Sequence, residues 1–174
     1  MTLAVATMPD VVTPEDGTAA AALHQALLAR GLTVGTAESL TGGALGDLLS
    51  STPGASATYR GGVVTYATEL KQSLLGVGDD LVATYGVVSG ECARAMADGA
   101  RTLLGSEWAV STTGVAGPDL QEGKPAGTVH VGVAGPTGTT SVALRLDGER
   151  RAVREQTCRR AVAALLDAVV GAGR

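Results

Sequence analysis

The sequence predicts an α/β fold: one three-layer α/β/α domain with a mixed, mostly parallel sheet and a closing C-terminal helix. Three observations lead there. Helical and strand-like segments alternate along most of the chain. Two neighbouring strand candidates near the end are joined as a hairpin, and a long helical segment follows them. With 174 residues, 45% hydrophobic and 17% charged, the chain can bury a single core without disulfides or structural metal.

The elements follow in order. Residues 1–17, with Pro9, Pro14 and Gly17, read as a flexible tail ahead of a domain over residues 18–174. Thr18–Arg30 places Leu23, Leu27 and Leu28 at helical spacing and stops at Gly31. Leu32–Thr36 is a short apolar strand. A turn from Ala37 through Gly43 then opens a short helix that ends before Pro53. Gly62–Ala67 is expected as the second strand, with helices over Thr68–Leu75 and Asp79–Tyr85. Ser89 caps a helix to about Leu104, with Glu91 favourable in its first turn. Trp108–Thr112 is a strand running into Thr113-Gly114-Val115-Ala116-Gly117-Pro118, and a polar loop reaches Pro125. Strands Gly127–Ala134 and Thr139–Leu146 pair across Gly135-Pro136-Thr137-Gly138. Glu149 to about Val170 is the closing helix.

Composition narrows the function. A net charge of −4 supplies no basic face for nucleic acid. Cys92 and Cys158 are far apart with no CxxC pair, which suits a reducing cytoplasm. No apolar run approaches the roughly 18 residues of a membrane span, and residues 1–17 lack the positive start of a signal peptide. The expectation is a cytoplasmic protein with neither nucleic-acid nor membrane partners. Phe, Ile and Asn are absent, and two lysines stand against eleven arginines, which reads as codon bias. A lysine kept in such a chain, at Lys71 and Lys124, is a hint of chemistry, because lysine can lose its charge when buried and arginine cannot.

Loops after strand ends are where α/β sheets place their sites. Ser39, in Glu38-Ser39-Leu40-Thr41-Gly42-Gly43, is a nucleophile or phosphate ligand at a helix start, or only a helix cap. A nucleophilic serine needs a base. His24 and His130 sit on an apolar helix and between strand valines, which leaves a lysine held neutral by burial. If the first two strands are neighbours, Ser39, Tyr66 and Lys71 meet on one rim; otherwise Lys71 is a solvated helix residue. Tyr66 and Lys71 are five apart, unlike the Tyr-x-x-x-Lys of short-chain dehydrogenases, and Pro118 and Pro125 spoil a P-loop reading of Gly123-Lys124. The His, Cys and carboxylate spacing suggests no metal site. Arg150, Arg151 and Arg154 crowd a helix N-terminus against its dipole, which one phosphate or carboxylate partner, or an Arg151–Glu155 pair, would explain.

Taken together, the string Thr36–Gly43, Arg60-Gly61-Gly62-Val63-Val64-Thr65-Tyr66, Gly86–Ser89, Thr113–Pro118, Lys124–Thr128 and Gly148–Arg154 resembles the CinA C-terminal domain family, in order and over nearly the whole chain. The stand-alone members are bacterial, cytoplasmic amidohydrolases that convert nicotinamide mononucleotide to nicotinate mononucleotide and ammonia. The resemblance implies Ser39 as nucleophile, Lys71 as general base and Tyr66 beside the dyad. It places Thr41, Gly42, Gly43, Arg60, Thr113, Gly114, Ala116, Gly117, Lys124, Gly127, Thr128 and Arg150 in the substrate pocket, and implies no cofactor and no metal. Thr68 stands where the family often has Asn. The implied oxyanion donors are the backbone N–H groups of Leu40–Gly43, and phosphate would fall to Arg150, Lys124 or a helix N-terminus. A non-catalytic nucleotide-binding module and an amidase for another small amide are the alternative functions. A homo-oligomer is expected, with the closing helix as its contact surface.

Overall fold

The computed structural model describes residues 16–173. The expected tail therefore lies outside the described residues, apart from Asp16 and Gly17, which open the first helix. In order, the elements are α1 (Asp16–Leu28), β1 (Val34–Glu38), α2 (Ala44–Ser50), a 3-10 turn (Ala55–Ala57), β2 (Tyr59–Val64), α3 (Thr68–Leu75), α4 (Asp79–Tyr85), α5 (Gly90–Leu104), β3 (Trp108–Gly114), β4 (Thr128–Gly135), β5 (Gly138–Arg145) and α6 (Arg150–Gly171). Among the described residues no helix is long and apolar enough to cross a membrane.

The strands form one sheet in the order β2-β1-β3-β4-β5. β1 runs parallel to both β2 and β3, whereas β4 is antiparallel to β3 and β5. All strands but β4 thus point the same way, and the C-terminal ends of β1, β2 and β3 share a rim with the start of β4. Alternation along the strands splits the core into two layers. Val34, Trp108, Val110, Val131 and Val133 pack under α1, α2 and α6 with Leu23, Leu27, Leu45 and Leu165. Ala37 and Ala109 face the other way, under Cys92, Met96 and Ala100 of α5 and Leu75 of α3. Ser89 caps α5 as its sequence implies, its Oγ accepting from Cys92 N at 3.1 Å.

The strand limits shift from the sequence reading, by one or two residues in β3, β4 and β5 and furthest in β1 and β2. β1 runs on through Ala37 and Glu38, because both pair on two sides, with Val63–Val64 and Ser111–Thr112. β2 starts at Tyr59 and stops at Val64 instead of spanning Gly62–Ala67. Gly62 reads as a strand start but sits mid-strand. A Cβ there would collide with Thr36 Oγ1 and lie 2.7 Å from the Tyr59 hydroxyl, so the gap in side chains makes room for that Thr–Tyr pair. The hairpin has Pro136 and Thr137 as its two loop residues, between paired Gly135 and Gly138.

Candidate active site

Ser39 is the first residue beyond β1. Its N–H donates to Thr112 O of β3 at 3.0 Å, which fixes its backbone to the central strand. Lys71, on α3, reaches back from one turn into the helix and is 1% exposed, so nearly all of the side chain is out of water. Its Nζ lies 3.1 Å from Ser39 Oγ, 2.7 Å from Thr65 O and 3.3 Å from Tyr66 O. Among the described residues it forms no ion pair. Burial is the main influence on it and holds its pKa below the ordinary lysine value, because no carboxylate contact offsets the lost hydration. An uncharged lysine has two N–H bonds and one lone pair. In that form the two carbonyls take the N–H bonds and the lone pair faces the serine hydroxyl, whereas a charged Lys71 donates to Ser39 Oγ as well.

The rest of the nucleophile loop is tied down from two sides. Glu38, the last residue of β1 and only 2% exposed, turns its carboxylate into the start of α2. Oε2 accepts from Thr41 Oγ1 (2.7 Å), Gly43 N (3.0 Å) and Leu45 N (3.0 Å), and Oε1 from Gly46 N at 2.8 Å. Thr41 spends its one proton on Glu38, so Thr112 is the donor in the 2.8 Å contact between the two threonine hydroxyls. On the opposite side Arg154 of α6 forks onto two successive carbonyls, Nε to Leu40 O at 3.1 Å and Nη2 to Thr41 O at 2.7 Å. Gly42 and Gly43 take φ of +60° and +102°, which side-chain-bearing residues adopt only under strain, and Gly42 N closes the turn onto Ser39 O at 3.1 Å.

This arrangement corrects the expected oxyanion donors. Of Leu40–Gly43, the N–H groups of Gly42 and Gly43 are already committed, and Glu38 also fills the helix start at Leu45 and Gly46. Of these four, the N–H groups of Leu40 and Thr41 have no partner among the described residues. The same carboxylate removes the start of α2 as a receiver for a phosphate.

A cleft of about 340 Å³ opens over Ser39, lined by Leu40, Tyr66, Gly114–Gln121 and Arg150. Arg150 spans it, donating from Nη1 to Gly117 O and from Nη2 to the Tyr66 hydroxyl, both at 2.8 Å. Of the residues singled out in the sequence, Ser39, Tyr66, Gly114, Ala116, Gly117 and Arg150 line this cleft. Lys71, Thr41, Gly42 and Gly43 form the layer beneath and beside Ser39. Thr113 anchors the wall through Oγ1 to Val87 O at 2.6 Å. Gly127 and Thr128 close its base: Val115 N donates to Thr128 O and Gly127 N to Val115 O, each at 2.8 Å, and Thr128 Oγ1 holds Pro125 O. Only glycine fits at 127, where φ is +83° and a Cβ would overlap Leu146 O.

Two of the expected pocket residues are placed elsewhere. Arg60 lies near the start of β2, at the opposite end of the sheet, and its Nε donates to Leu104 O at 3.0 Å. Lys124 turns away from the cleft, with Nζ 2.6 Å from Val88 O and 3.4 Å from Glu122 Oε2. Of the arginines at the start of α6, Arg150 and Arg154 reach main-chain carbonyls and a tyrosine hydroxyl, and Arg151 forms its helical pair with Glu155 at 2.7 Å. Sequence reasoning missed Glu38 and Glu122. A carboxylate just before a Gly-Gly helix start is a readable signal for Glu38. Nothing local announces Glu122, whose two oxygens accept from Val87 N and Val88 N across 35 and 34 positions.

The sheet topology and the buried lysine on a strand-end serine define a class, the α/β proteins that hold a Ser–Lys pair at the rim of the sheet. The profile of the CinA C-terminal domain family matches residues 16–169, and the chain belongs to that family, as its ordered motifs imply. A CinA-like protein of Frankia casuarinae is 52% identical over 128 residues, covering 74% of this chain and 30% of that protein. One from Anaeromyxobacter sp. is 50% identical over 131 residues, covering 75% and 32%. The chain thus spans about a third of the length of the curated relatives it matches. Among solved structures, a CinA superfamily protein of Klebsiella pneumoniae superposes with a TM-score of 0.88 at 34% identity, covering 91% of this chain and 99% of that one. A competence/damage inducible protein of Agrobacterium tumefaciens gives 0.84 at 35% identity, covering 91% and 98%.

Proposed function

We propose that the protein hydrolyses the carboxamide of nicotinamide mononucleotide to nicotinate mononucleotide and ammonia, with Ser39 as nucleophile and Lys71 as base. The observation that carries this reading is the 3.1 Å contact between Ser39 Oγ and a buried lysine nitrogen whose other neighbours are carbonyl oxygens. Neutral Lys71 takes the hydroxyl proton as Oγ bonds to the carboxamide carbon. The oxyanion that forms is received by the N–H groups of Leu40 and Thr41, and each such donor is worth about 3 kcal/mol of barrier. As the C–N bond breaks, the proton held by Lys71 goes to the departing nitrogen, directly or relayed through the Tyr66 hydroxyl, so ammonia leaves and Lys71 is neutral again. Water then attacks the acyl-serine, its proton passes to Lys71, and nicotinate mononucleotide departs with Ser39 restored.

The substrate phosphate goes to Arg150. It lines the cleft, whereas Lys124 is committed to Val88 O and Glu122. The test is ammonia release from nicotinamide mononucleotide by the purified protein with EDTA present. Wild type is expected to release ammonia, and Ser39→Ala and Lys71→Ala to lose about 10⁴-fold or more in kcat. Lys71→Arg fails equally, because a guanidinium stays charged. A folded wild type that binds the nucleotide and releases no ammonia would make the protein a binding module instead.

A further inference from the structure

We infer that Arg154 is the positioning residue of this site: by forking onto the carbonyls of Leu40 and Thr41 it aims the two N–H groups that receive the oxyanion. The inference rests on the Ser39 nucleophile proposed above. Its basis is the planarity of the trans peptide, in which C=O and N–H point opposite ways. Arg154 Nε draws Leu40 O toward α6, so Thr41 N–H points away from α6. Arg154 Nη2 draws Thr41 O the same way, which turns Gly42 N–H back onto Ser39 O. That bond in turn fixes the Ser39–Leu40 peptide and hence the direction of Leu40 N–H. One guanidinium therefore sets both unpartnered donors, one directly and one through the turn. Glu38 holds the far side of the same loop through Thr41 Oγ1 and Gly43 N, so the loop is held between a cation on its carbonyls and an anion on its amides.

Arg154 does not line the cleft, and its two partners are main-chain oxygens. It also stands outside the groups acting on Lys71, where burial and the more distant Cys92, Glu122 and Glu69 decide the charge. A positioning role thus predicts a loss in kcat with neither substrate affinity nor the Lys71 ionisation moved. It also explains why an arginine sits in the first turns of α6 against the helix dipole.

The test uses the full chain with Arg154→Lys and Arg154→Ala, and two readouts. One is steady-state turnover of nicotinamide mononucleotide. The other is the rate at which a fluorophosphonate labels Ser39, where the Oγ–P bond forms, fluoride leaves and the hydroxyl proton passes to Lys71; Ser39→Ala is the blank. Final labelling counts competent sites and so corrects for any misfolded fraction. Expected is a fall in kcat per competent site of about 100-fold, with labelling slowed in parallel. KM should stay within about twofold and the pH midpoint of kcat unmoved. Arg154→Lys should recover at most a small part of the Arg154→Ala loss, since its single nitrogen cannot present the two spaced, coplanar donors that Nε and Nη2 supply, and added guanidinium should restore part of the Arg154→Ala rate. Unchanged kcat per competent site, or an effect confined to KM, overturns the inference. Wild type that labels at Ser39 but releases no ammonia removes the proposed substrate, and labelling rates alone then decide on Arg154. Wild type that does neither removes the nucleophile and this inference together.

Discussion

Lys71 and Cys92 bury titratable groups in one layer between α3 and α5, and burial moves them in opposite senses. The lysine is pushed below its ordinary value of 10.5, and the thiol is pushed up from 9.0 to about 11. In the proposed reaction only neutral Lys71 serves as base, so kcat/KM should rise with pH and reach its plateau below the range of an ordinary lysine. For stability the signs differ. Between the folded pKa of Lys71 and 10.5 the unfolded chain binds the extra proton, so stability rises with pH, and below that window the full cost of the buried ammonium remains. Between 9.0 and about 11 the folded chain keeps the Cys92 proton that the unfolded chain loses, so stability falls. Denaturant midpoints measured across pH should therefore climb to about pH 9, level off while the two opposing windows overlap, and turn down only above 10.5, where the lysine window has closed. Lys71→Met is expected to remove the climb and Cys92→Val the descent. An unchanged profile in Lys71→Met would mean that the lysine is not depressed by burial.

At the scale of elements, the dyad depends on how closely α3 lies against α5. Gly99 of α5 meets the backbone at the end of α3, and a Cβ there would overlap Leu75 O, an atom that cannot swing aside. Gly99→Ala is expected to cost about 1–3 kcal/mol by overpacking. It should also lower kcat, because α3 carries Lys71 and the 3.1 Å contact to Ser39 moves with it. Denaturation and turnover of this one variant check both, and lost stability with unchanged kcat would mean that the helix absorbs the strain without moving the lysine.

Legibility from sequence also divides by element. The order of helices and strands and the hairpin follow from periodicity and turn residues, which act within a few positions. The grouping of Ser39, Tyr66 and Lys71 depends on the first two strands being neighbours, a pairing no local signal gives and one that the fold supplies. The limits of β1 and β2 do not, because they are set by pairing between strands and by a glycine gap that accommodates a side chain from a neighbour. Arg154 is visible in the sequence as an oddly placed cation. Its partners are not, because they lie 114 and 113 positions away and meet it only when α6 packs beside α2. Arg60 shows the converse. It belongs to a recognisable string, yet the strand direction carries it to the far end of the sheet from Ser39.

For the molecule as a whole, the proposed substrate should bind the folded state alone and raise its melting temperature. In Ser39→Ala, which cannot turn it over, nicotinamide mononucleotide at a hundred times its Kd contributes about 2.7 kcal/mol. That corresponds to a rise of roughly 5–10 °C for a domain of this size. Nicotinamide riboside, which lacks the phosphate, is expected to give a smaller shift at equal concentration. Adding Arg150→Ala should erase the difference between the two ligands. If the difference survives, the phosphate is held by a group other than Arg150.

The reversed direction of β4 brings the chain back to the rim from which β3 leaves, and hydrogen bonds from Val115 to Thr128 and from Gly127 to Val115 close that excursion at its neck. Residues 118–125 therefore hang from a sealed base, outside every strand of the sheet. Within it Glu122 is tied to Val87 N and Val88 N and is among the charges felt by Lys71, so the tip before Glu122, residues 118–121, is the part that can change without shifting a strand or that carboxylate. For the proposed reaction, chemistry and selectivity would then be separately heritable: the sheet transmits the serine and lysine unchanged, while the tip over the cleft is free to drift.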